Sequence, residues 1–331
     1  MTEILSDSAY MIESLPEVWF GLVVFALGVY LLLDGFDFGL GILFAEANES
    51  DRAVLLAAFG PLWKANEVWL VLFGTVLFAG FPAVYANILS RHYLLVFAIL
   101  LALSLRGLGS KLREERDDVE WVRFWDACFI AGSIASPFLL GVFVASWVLG
   151  ESSALAIGPL VVGVTVVALS IVLGAAFLGV KTRGKLRDHV TRRGRQATGI
   201  YVGLFVLTAI TLFVQYPGLH AVLLSASTAA IVVATVAFAI ATVFAAFRER
   251  YHAAFLGAAG LAATFVVFVG TLLYPAIDPA AGLSVRDAVV SPLPLNMTTI
   301  FAAIFMPIIV GYFLFLYSLF SGPATPEQSY S

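Results

Sequence analysis

Long apolar stretches alternate with short polar segments along the whole chain. A membrane-spanning helix needs about 20 consecutive, mostly apolar residues. The stretches are continuously apolar and lack the two-residue alternation of a membrane β-barrel, so they predict helices. Nine such spans lie near residues 18–44, 54–80, 85–108, 122–149, 155–180, 197–216, 219–247, 253–274 and 297–320.

The composition of the 331-residue chain agrees with a polytopic membrane protein, since 61% of the residues are hydrophobic and 12% are charged. Soluble proteins carry roughly 25% charged residues, so this chain cannot cover a water-facing surface. The 28 Phe, 11 Tyr and 6 Trp exclude a disordered chain. A net charge of −4, with basic residues scattered over short loops, gives no signature of nucleic-acid binding. The single cysteine, Cys128, excludes an internal disulfide and any multi-cysteine metal site.

The basic residues predict the direction of the spans. Counted with the N-terminus outside, fifteen Lys and Arg fall in inner loops, whereas the outer loops carry only Arg91 and Arg286. Such an excess marks the cytoplasmic side of a membrane protein. The segment before the first span contains no Lys or Arg, unlike a signal peptide, so we expect this helix to be retained. We therefore predict one membrane domain over residues 1–331, with the N-terminus outside and the C-terminus inside.

The first predicted span carries two carboxylates, Asp34 and Asp37, at a spacing that places both on one helix face. Gly35, Gly39 and Gly41 around them allow a neighbouring backbone to approach closely. Ionisable groups inside a membrane are costly, so they are either paired packing features or members of a proton or ion pathway. The residues alone leave both interpretations open.

The second predicted span contains a polar segment that follows Pro61 and includes Trp63, Lys64, Asn66 and Glu67. The proline weakens the helix at this point. Lys64 and Asp34 lie at similar depth in antiparallel helices. Because burial disfavours an unpaired ammonium, we expect Lys64 to pair with Asp34, Asp37 or Glu67.

Arg106 ends the third predicted span, and Asp126 lies at similar depth in the fourth. We interpret the neighbouring Trp121, Arg123 and Trp125 as interfacial anchors, which are common at membrane boundaries. Asp126 is deeper than these residues and close to Arg106, so it joins the candidate buried charges.

The histidines argue against a haem bound by this chain alone. His92, His189, His220 and His252 all fall at span ends or in loops, so no two of them face each other inside a bundle. Axial haem ligands are usually His, Met or Cys. Phosphate-binding, dinucleotide-binding and zinc-protease motifs are also missing from the sequence.

Several segments together resemble subunit II of the cytochrome bd quinol oxidases. The most specific are Leu-Asp-Gly-Phe-Asp-Phe-Gly-Leu-Gly-Ile-Leu at 33–43 and Pro-Leu-Trp with Asn-Glu-Val-Trp-Leu at 61–70. The remaining similar segments lie at 77–86, 106–109, 125–126, 132–133, 295–298 and 306–309. The similarity is dense over about 30–140, sparse in the middle, and returns over about 274–320.

The resemblance implies an all-α fold of nine transmembrane helices, arranged as two four-helix bundles and one peripheral helix, in a prokaryotic cytoplasmic membrane. It implies a heterodimer with subunit I, which would hold two b haems, haem d and the quinol site. The complex would oxidise quinol and reduce O₂ to water with cytoplasmic protons. Subunit II would ligate no haem, although a bound quinone or lipid is compatible with it. The candidate proton-route or buried-charge residues are Asp34, Asp37, Trp63, Lys64, Asn66, Glu67, Arg106 and Asp126.

Two positions depart from the family pattern. Many members have an acid where this chain has Lys64, and some have an acid where it has Lys111. Both acids belong to proposed proton routes in relatives. A scaffold that only stabilises subunit I is therefore an alternative function. A secondary transporter with a mid-membrane site at Asp34 and Lys64 is another, because interrupted helices with buried charges are typical of transporters.

The charge distribution leads to a direct test of orientation. A cysteine introduced near Gly184 should be protected from a membrane-impermeant thiol reagent in intact cells, because its loop is predicted to be cytoplasmic. Labelling of that cysteine in intact cells would contradict the predicted orientation.

Overall fold

The computed structural model describes residues 9–320 and 322–324, and the acidic residues before Ala9 lie outside this range. The described residues form thirteen α-helices and four short 3₁₀ helices. In chain order, α1 to α13 are Leu15–Leu43, Glu49–Phe59, Trp63–Gly80, Pro82–Arg91, Tyr93–Leu112, Val119–Leu149, Ile157–Lys181, Gly184–Gln215, His220–Leu223, Ala226–Phe247, Tyr251–Leu273, Val285–Ala288 and Pro292–Leu319.

Within the described residues, eight helices are long and apolar enough to cross a membrane: α1, α5, α6, α7, α8, α10, α11 and α13. Helices α2 and α3 together satisfy the same criterion, although they are bent by 49°. The expectation of an all-α polytopic membrane protein is confirmed, with nine spans when the bent pair counts as one.

The bend between α2 and α3 is a departure from the predicted continuous span 54–80. Pro61 lies in the break and cannot donate a backbone hydrogen bond, which interrupts the helix. Helix α2 also begins earlier than predicted, because the Asn48 side chain caps it by accepting a hydrogen bond of 3.0 Å from the Asp51 backbone N–H. The polar segment of the second span therefore forms the first turn of a new helix, α3.

The predicted span 85–108 begins too early. The chain breaks at His92, and the spanning helix α5 starts at Tyr93. The preceding residues belong to the shorter helix α4, whose Asn87 and Arg91 side chains each lie 3.1 Å from the Asp278 carboxylate. These polar contacts hold α4 against the loop that follows α11. Burial lowers the pKa of His92 at the junction, because a desolvated imidazolium is disfavoured, and the nearby Arg91 charge adds to this effect.

Two further helices differ from their predicted bounds. Helix α8 starts at Gly184 rather than near 197, because its basic first half continues the helix beyond the apolar segment. Helix α10 starts at Ala226 rather than near 219, where the Ser225 side chain accepts from the Thr228 backbone N–H. The connection between these two spans runs over residues 216–225 and contains α9, so it is longer than the predicted turn at 216–218.

The spanning helices form two groups of four and one peripheral helix. Helices α1, α3, α5 and α6 form the first group, and α7, α8, α10 and α11 form the second. Helix α7 joins the groups by packing against both α1 and α6. Helix α13 packs against α3, and near its start Asn296 and Thr299 hydrogen-bond to Met11 and to Trp19 of α1. Most of the apolar surface of α13 is exposed.

Glycines bring the two groups into direct backbone contact. A side chain at Gly39 of α1 would overlap the Ser170 carbonyl of α7, and one at Gly174 would overlap the backbone of Gly39. In hydrocarbon, where helix association depends on close packing, such small residues let the helices approach. This contact confirms the expectation of a close backbone approach at Gly39.

We predict that Gly39→Ala destabilises the protein by about 1–3 kcal/mol or more, because the new methyl group meets backbone that cannot move aside. The matched control is Gly203→Ala on α8, where the added methyl group enters open space. The measurement is the thermal unfolding midpoint of each purified complex. Equal midpoints for the two variants would show that the α1–α7 contact tolerates an extra methyl group.

Candidate functional site

Arg106 of α5 lies at the centre of a charged cluster inside the first helix group. Its two terminal guanidinium nitrogens lie 2.7 Å from Asp34 of α1 and 2.7 Å from Glu67 of α3. The side chains of Arg106 and Asp34 are fully buried, whereas the Glu67 side chain is 30% exposed. One cation therefore connects three helices.

Small residues and aromatic rings position the Arg106 side chain. Gly132 of α6 packs directly against the Arg106 backbone, which leaves α5 and α6 in close contact. The guanidinium carbon lies 4.5 Å from the ring centroid of Phe38 and 5.8 Å from that of Phe59. Aromatic faces attract a cation, so these rings support the charge where water is excluded.

Asp37 belongs to the same cluster but is held through an amide. The Asn66 side-chain N–H donates to Asp37 Oδ2 at 2.8 Å and to the Leu33 carbonyl at 3.3 Å. The Tyr317 hydroxyl of α13 donates to Asn66 Oδ1 at 2.7 Å. The peripheral helix thus reaches the buried carboxyl through one hydrogen-bonded amide.

Sequence reasoning missed Tyr317, which is 251 residues from Asn66 along the chain. Tyr317 lies in a continuous apolar span, and no spacing of residues along the sequence indicates that it contacts α3. The available signal was chemical, because a tyrosine hydroxyl inside an apolar helix usually finds a hydrogen-bond partner.

The expected pairing of Lys64 with a carboxylate is wrong. Lys64 is exposed, and its ammonium lies 5.7 Å from the ring centroid of Trp63. Successive helix residues are rotated by about 100°, so Lys64 and the buried Asn66 point to nearly opposite sides of α3. Arg106 is the buried cation instead, and its guanidinium can engage two carboxylates at once.

Asp126 does not pair with Arg106, although the sequence led us to expect the two residues close together. Asp126 accepts from Arg52 at 2.8 Å and from Arg113 at 2.6 Å, and Arg113 also contacts Glu49. These partners lie at the ends of helices or in the loop after α5, so Asp126 belongs to a second charged cluster.

Aromatic side chains separate the two clusters. The rings of Phe59 and Trp63 are stacked with centroids 5.6 Å apart, and Phe129 lies 5.3 Å from Phe59 and 5.2 Å from Phe44. The Arg52 guanidinium lies 4.9 Å from the centroid of the Phe44 ring. An apolar column therefore runs from the Arg106 cluster to the Asp126 cluster, and Trp63 contributes a ring to it rather than a charge partner.

An apolar cavity of about 390 Å³ lies between α3, α4, α5 and α6. Its walls include Phe73, Phe78, Tyr85, Leu100 and Phe143. Within residues 9–320 and 322–324, no three His, Cys, Asp or Glu side chains are grouped so that they could hold a metal ion.

Comparison with known proteins decides the family. The sequence profile of the cytochrome bd terminal oxidase subunit II family matches residues 15–320. The chain belongs to this family. Among its relatives, the cytochrome bd ubiquinol oxidase subunit 2 of Bacillus subtilis is 29% identical, over 93% of this chain and 96% of the relative. The cytochrome bd-I ubiquinol oxidase subunit 2 of Escherichia coli K12 is 26% identical, over 96% and 97% of the two chains.

The fold agrees with this assignment. A chain in the structure of bd oxidase from Geobacillus thermodenitrificans superposes with a TM-score of 0.78 at 18% identity, covering 92% of this chain and 98% of that one. This cytochrome bd subunit II is accordingly a multi-pass protein of the bacterial cytoplasmic membrane. It belongs to an oxidoreductase complex of several subunits that contains haem.

The cluster geometry predicts that Arg106 is needed for assembly. Arg106→Met leaves the buried Asp34 carboxyl without its cation, and removal of one partner of a buried ion pair costs about 3–5 kcal/mol. We expect Arg106→Met to lower the yield of intact, haem-containing complex. Lys185→Met is the matched control, because Lys185 is an exposed cation in the first turn of α8, in the second helix group. A normal yield from Arg106→Met would contradict the structural role of the cluster.

Proposed function

We propose that this chain is the haem-free subunit of a heterodimeric quinol oxidase, and that its partner, subunit I, carries two b haems, haem d and the quinol site. Relatives named as subunits of ubiquinol oxidases support the reaction class. We further propose that the buried Arg106 cluster exchanges protons during the reduction of O₂ to water. The observation that carries this proposal is one buried guanidinium bound to two carboxyls, with a third carboxyl beside them.

The histidines of this chain do not fit a haem held between its own helices. His92 lies in the break before α5, and His252 is in the first turn of α11. His189 contacts Glu46 at 3.1 Å, and His220 contacts the Phe213 carbonyl at 2.7 Å. Axial ligation inside a bundle needs side chains that face a common space within it. We therefore assign the haems of the complex to the partner subunit.

Charge balance supports a proton-holding role for the cluster. Asp34, Asp37 and Glu67 provide three carboxyls, whereas Arg106 provides one cation. Uncompensated charge in hydrocarbon has a high free energy, so the cluster is more stable when a carboxyl holds a proton. A site that carries an exchangeable proton inside the membrane can accept and release it during turnover.

Glu67 provides the access to the cluster. Its side chain is the partly exposed member, whereas Asp34 and Arg106 are fully buried. The phenyl rings of Phe44, Phe129 and Phe59 lie between the cluster and Asp126, and a phenyl ring has no group that transfers protons. Protons therefore enter and leave through Glu67 at the surface of α3.

The partial exposure of Glu67 indicates which face of the protein contacts subunit I. A partly exposed carboxylate cannot face lipid at low cost, because hydrocarbon provides no hydrogen-bonding partners. Glu67 and Lys64 share the surface of α3 with the exposed apolar residues Val68 and Val71. We place subunit I against this face and the neighbouring exposed surface of α13. The partner then provides the polar surroundings that Glu67 requires.

We also propose the orientation of the chain in the membrane. We place the N-terminus outside and the C-terminus inside, because the fifteen-to-two distribution of loop cations favours this orientation. The cavity of about 390 Å³ near Phe73 and Phe143 has apolar walls that suit the hydrocarbon tail of a lipid or quinone.

The two alternative functions are a secondary transporter and a pure scaffold, and the geometry of the Arg106 cluster supports them unequally. A transporter site shared by Asp34 and Lys64 has no support, because Lys64 points away from the cluster. A pure scaffold uses the Arg106 cluster only for stability. The scaffold and the proton-exchanging subunit differ in whether turnover depends on Glu67.

We predict that Glu67→Gln lowers quinol-driven O₂ consumption by at least about tenfold, since a positioned proton-transfer group typically contributes at least that much. The haem content should be retained, because glutamine can still accept a hydrogen bond from Arg106. Glu46→Gln is the matched control, since Glu46 pairs with Arg193 outside the cluster. Wild-type turnover with full haem content in Glu67→Gln would leave only the scaffold function.

A further inference from the structure

A narrow cleft lies among the four helices of the second helix group, at the end where α7 and α10 finish and where α8 and α11 begin. Its walls combine the apolar side chains of Val172, Ala175 and Ala254 with Thr191 and Arg195. The volume of the cleft is about 20 Å³, and a water molecule needs about 10–15 Å³. The cleft therefore admits one polar atom of the size of a water oxygen, whereas a whole organic group stays outside it.

The Thr191 hydroxyl differs from the other threonine hydroxyls at this cleft. Those of Thr198 and Thr242 donate to the carbonyl one turn earlier in their own helices, at 2.8 Å and 2.7 Å. Thr191 Oγ1 is buried and has no hydrogen-bond partner among the described residues. A Cβ added at Gly179 would lie 3.7 Å from this oxygen and 3.3 Å from the Tyr251 ring, so the hydroxyl lies beside that ring. A buried hydroxyl without a partner has a high free energy, and a bound acceptor would lower it.

Two arginines flank Thr191 on the same face of α8. Arg187 and Arg195 are four residues before and after it, so the three side chains form one row along the helix. The guanidinium carbon of Arg187 lies 4.4 Å from the ring centroid of Tyr251, and that of Arg195 lies 4.1 Å from the ring centroid of Phe247. Arg187 Nε is buried and, like Thr191 Oγ1, has no hydrogen-bond partner in the described part of the chain. The row therefore presents hydrogen-bond donors from two helix turns.

The charge around this row is positive. Asp188, Glu249 and Arg183 are the other charged groups that act on Tyr251. Together with Arg187 and Arg195, three cations are opposed by two carboxylates. A site with excess positive charge and free donors attracts an anion that carries several acceptor oxygens.

The surface beside the row suits an acyl chain. Phe244 and Phe247 of α10 are exposed, and the Arg195 and Arg248 guanidinium groups lie over their rings. Cations and exposed aromatic rings occur together where a helix leaves the hydrocarbon core, at the depth of the lipid headgroups. A phospholipid combines phosphate oxygens with acyl chains, and basic pockets between membrane helices bind such headgroups.

We propose that Arg187, Thr191 and Arg195 form a binding site for the phosphate group of an anionic phospholipid. One phosphate oxygen enters the cleft and accepts hydrogen bonds from the Thr191 hydroxyl and from Arg187 Nε–H. Arg195 neutralises the headgroup, and the acyl chains pack along the exposed rings of α10. The inference goes beyond the proposed function, because this site lies in the second helix group and does not depend on proton exchange by the Arg106 cluster.

The test titrates the purified, delipidated complex with phosphatidylglycerol and counts the bound lipids by native mass spectrometry. The difference between wild type and variant at each lipid concentration gives the occupancy of this site. Arg187→Gln should need about tenfold more lipid to fill the site, because it loses a hydrogen bond to a charged group. The matched control is Arg192→Gln, since Arg192 is an exposed arginine of α8 that is rotated by about 100° from Thr191.

A second variant covers the case in which Arg187→Gln fails to assemble. Thr191→Val keeps the shape of the side chain and removes only the hydroxyl, so it should need about threefold more lipid. Its matched control is Thr235→Val on α10, because the Thr235 hydroxyl already donates to the Ile231 carbonyl at 2.9 Å.

The outcomes separate a specific lipid site from other kinds of binding. A loss of lipid affinity in Arg187→Gln or Thr191→Val that the controls do not share supports the proposal. Wild-type affinity in each variant that assembles, or an equal loss in Arg192→Gln, overturns it. Inorganic phosphate that displaces the lipid at the same concentration would assign the site to a free anion and overturn the lipid assignment. Phosphatidylethanolamine that binds as tightly as phosphatidylglycerol would contradict the preference for an anionic headgroup.

Discussion

Arg106 places a permanent positive charge inside the first helix group, and hydrocarbon offers no counter-ion. The protein neutralises this charge with Asp34 of α1 and Glu67 of α3, each 2.7 Å away. Because the carboxylates come from two different helices, the pairing fixes α1, α3 and α5 relative to each other. The close packing around Gly132 and the aromatic faces of Phe38 and Phe59 follow from the need to hold the guanidinium in a dry environment.

The same cation is the basis for the proposed proton exchange. One guanidinium cannot balance Asp34, Asp37 and Glu67 together, and the excess negative charge favours a bound proton. The aromatic column around Phe129 separates this site from the charges near Asp126. In the proposed function, protons then exchange through Glu67, whose side chain is 30% exposed on the proposed partner face. Structural pairing and the proposed proton exchange thus depend on the same few atoms.

Much of this arrangement could be predicted from the sequence, because hydrophobic length and loop charge depend only on local composition. The nine spans, the candidate acids of α1 and the close approach at Gly39 are of this kind. The break at Pro61 was visible as a weak point, but its consequence for Lys64 was not. Whether Lys64 or Arg106 is the buried cation depends on which side of α3 faces the bundle, and that is fixed by helix rotation after the break. Tyr317 depends on contact between segments 251 residues apart, for which the local pattern holds no signal.

We propose that the Arg106 cluster holds an exchangeable proton in the membrane. The most direct measurement is hydrogen–deuterium difference infrared spectroscopy of the purified wild-type complex at neutral pH. We expect a protonated-carboxyl band that shifts in D₂O and that is diminished when Asp34, Asp37 or Glu67 is replaced by its amide. A spectrum in which none of these three replacements changes a deuterium-sensitive carboxyl band would show that all three groups are ionised, and it would contradict the account.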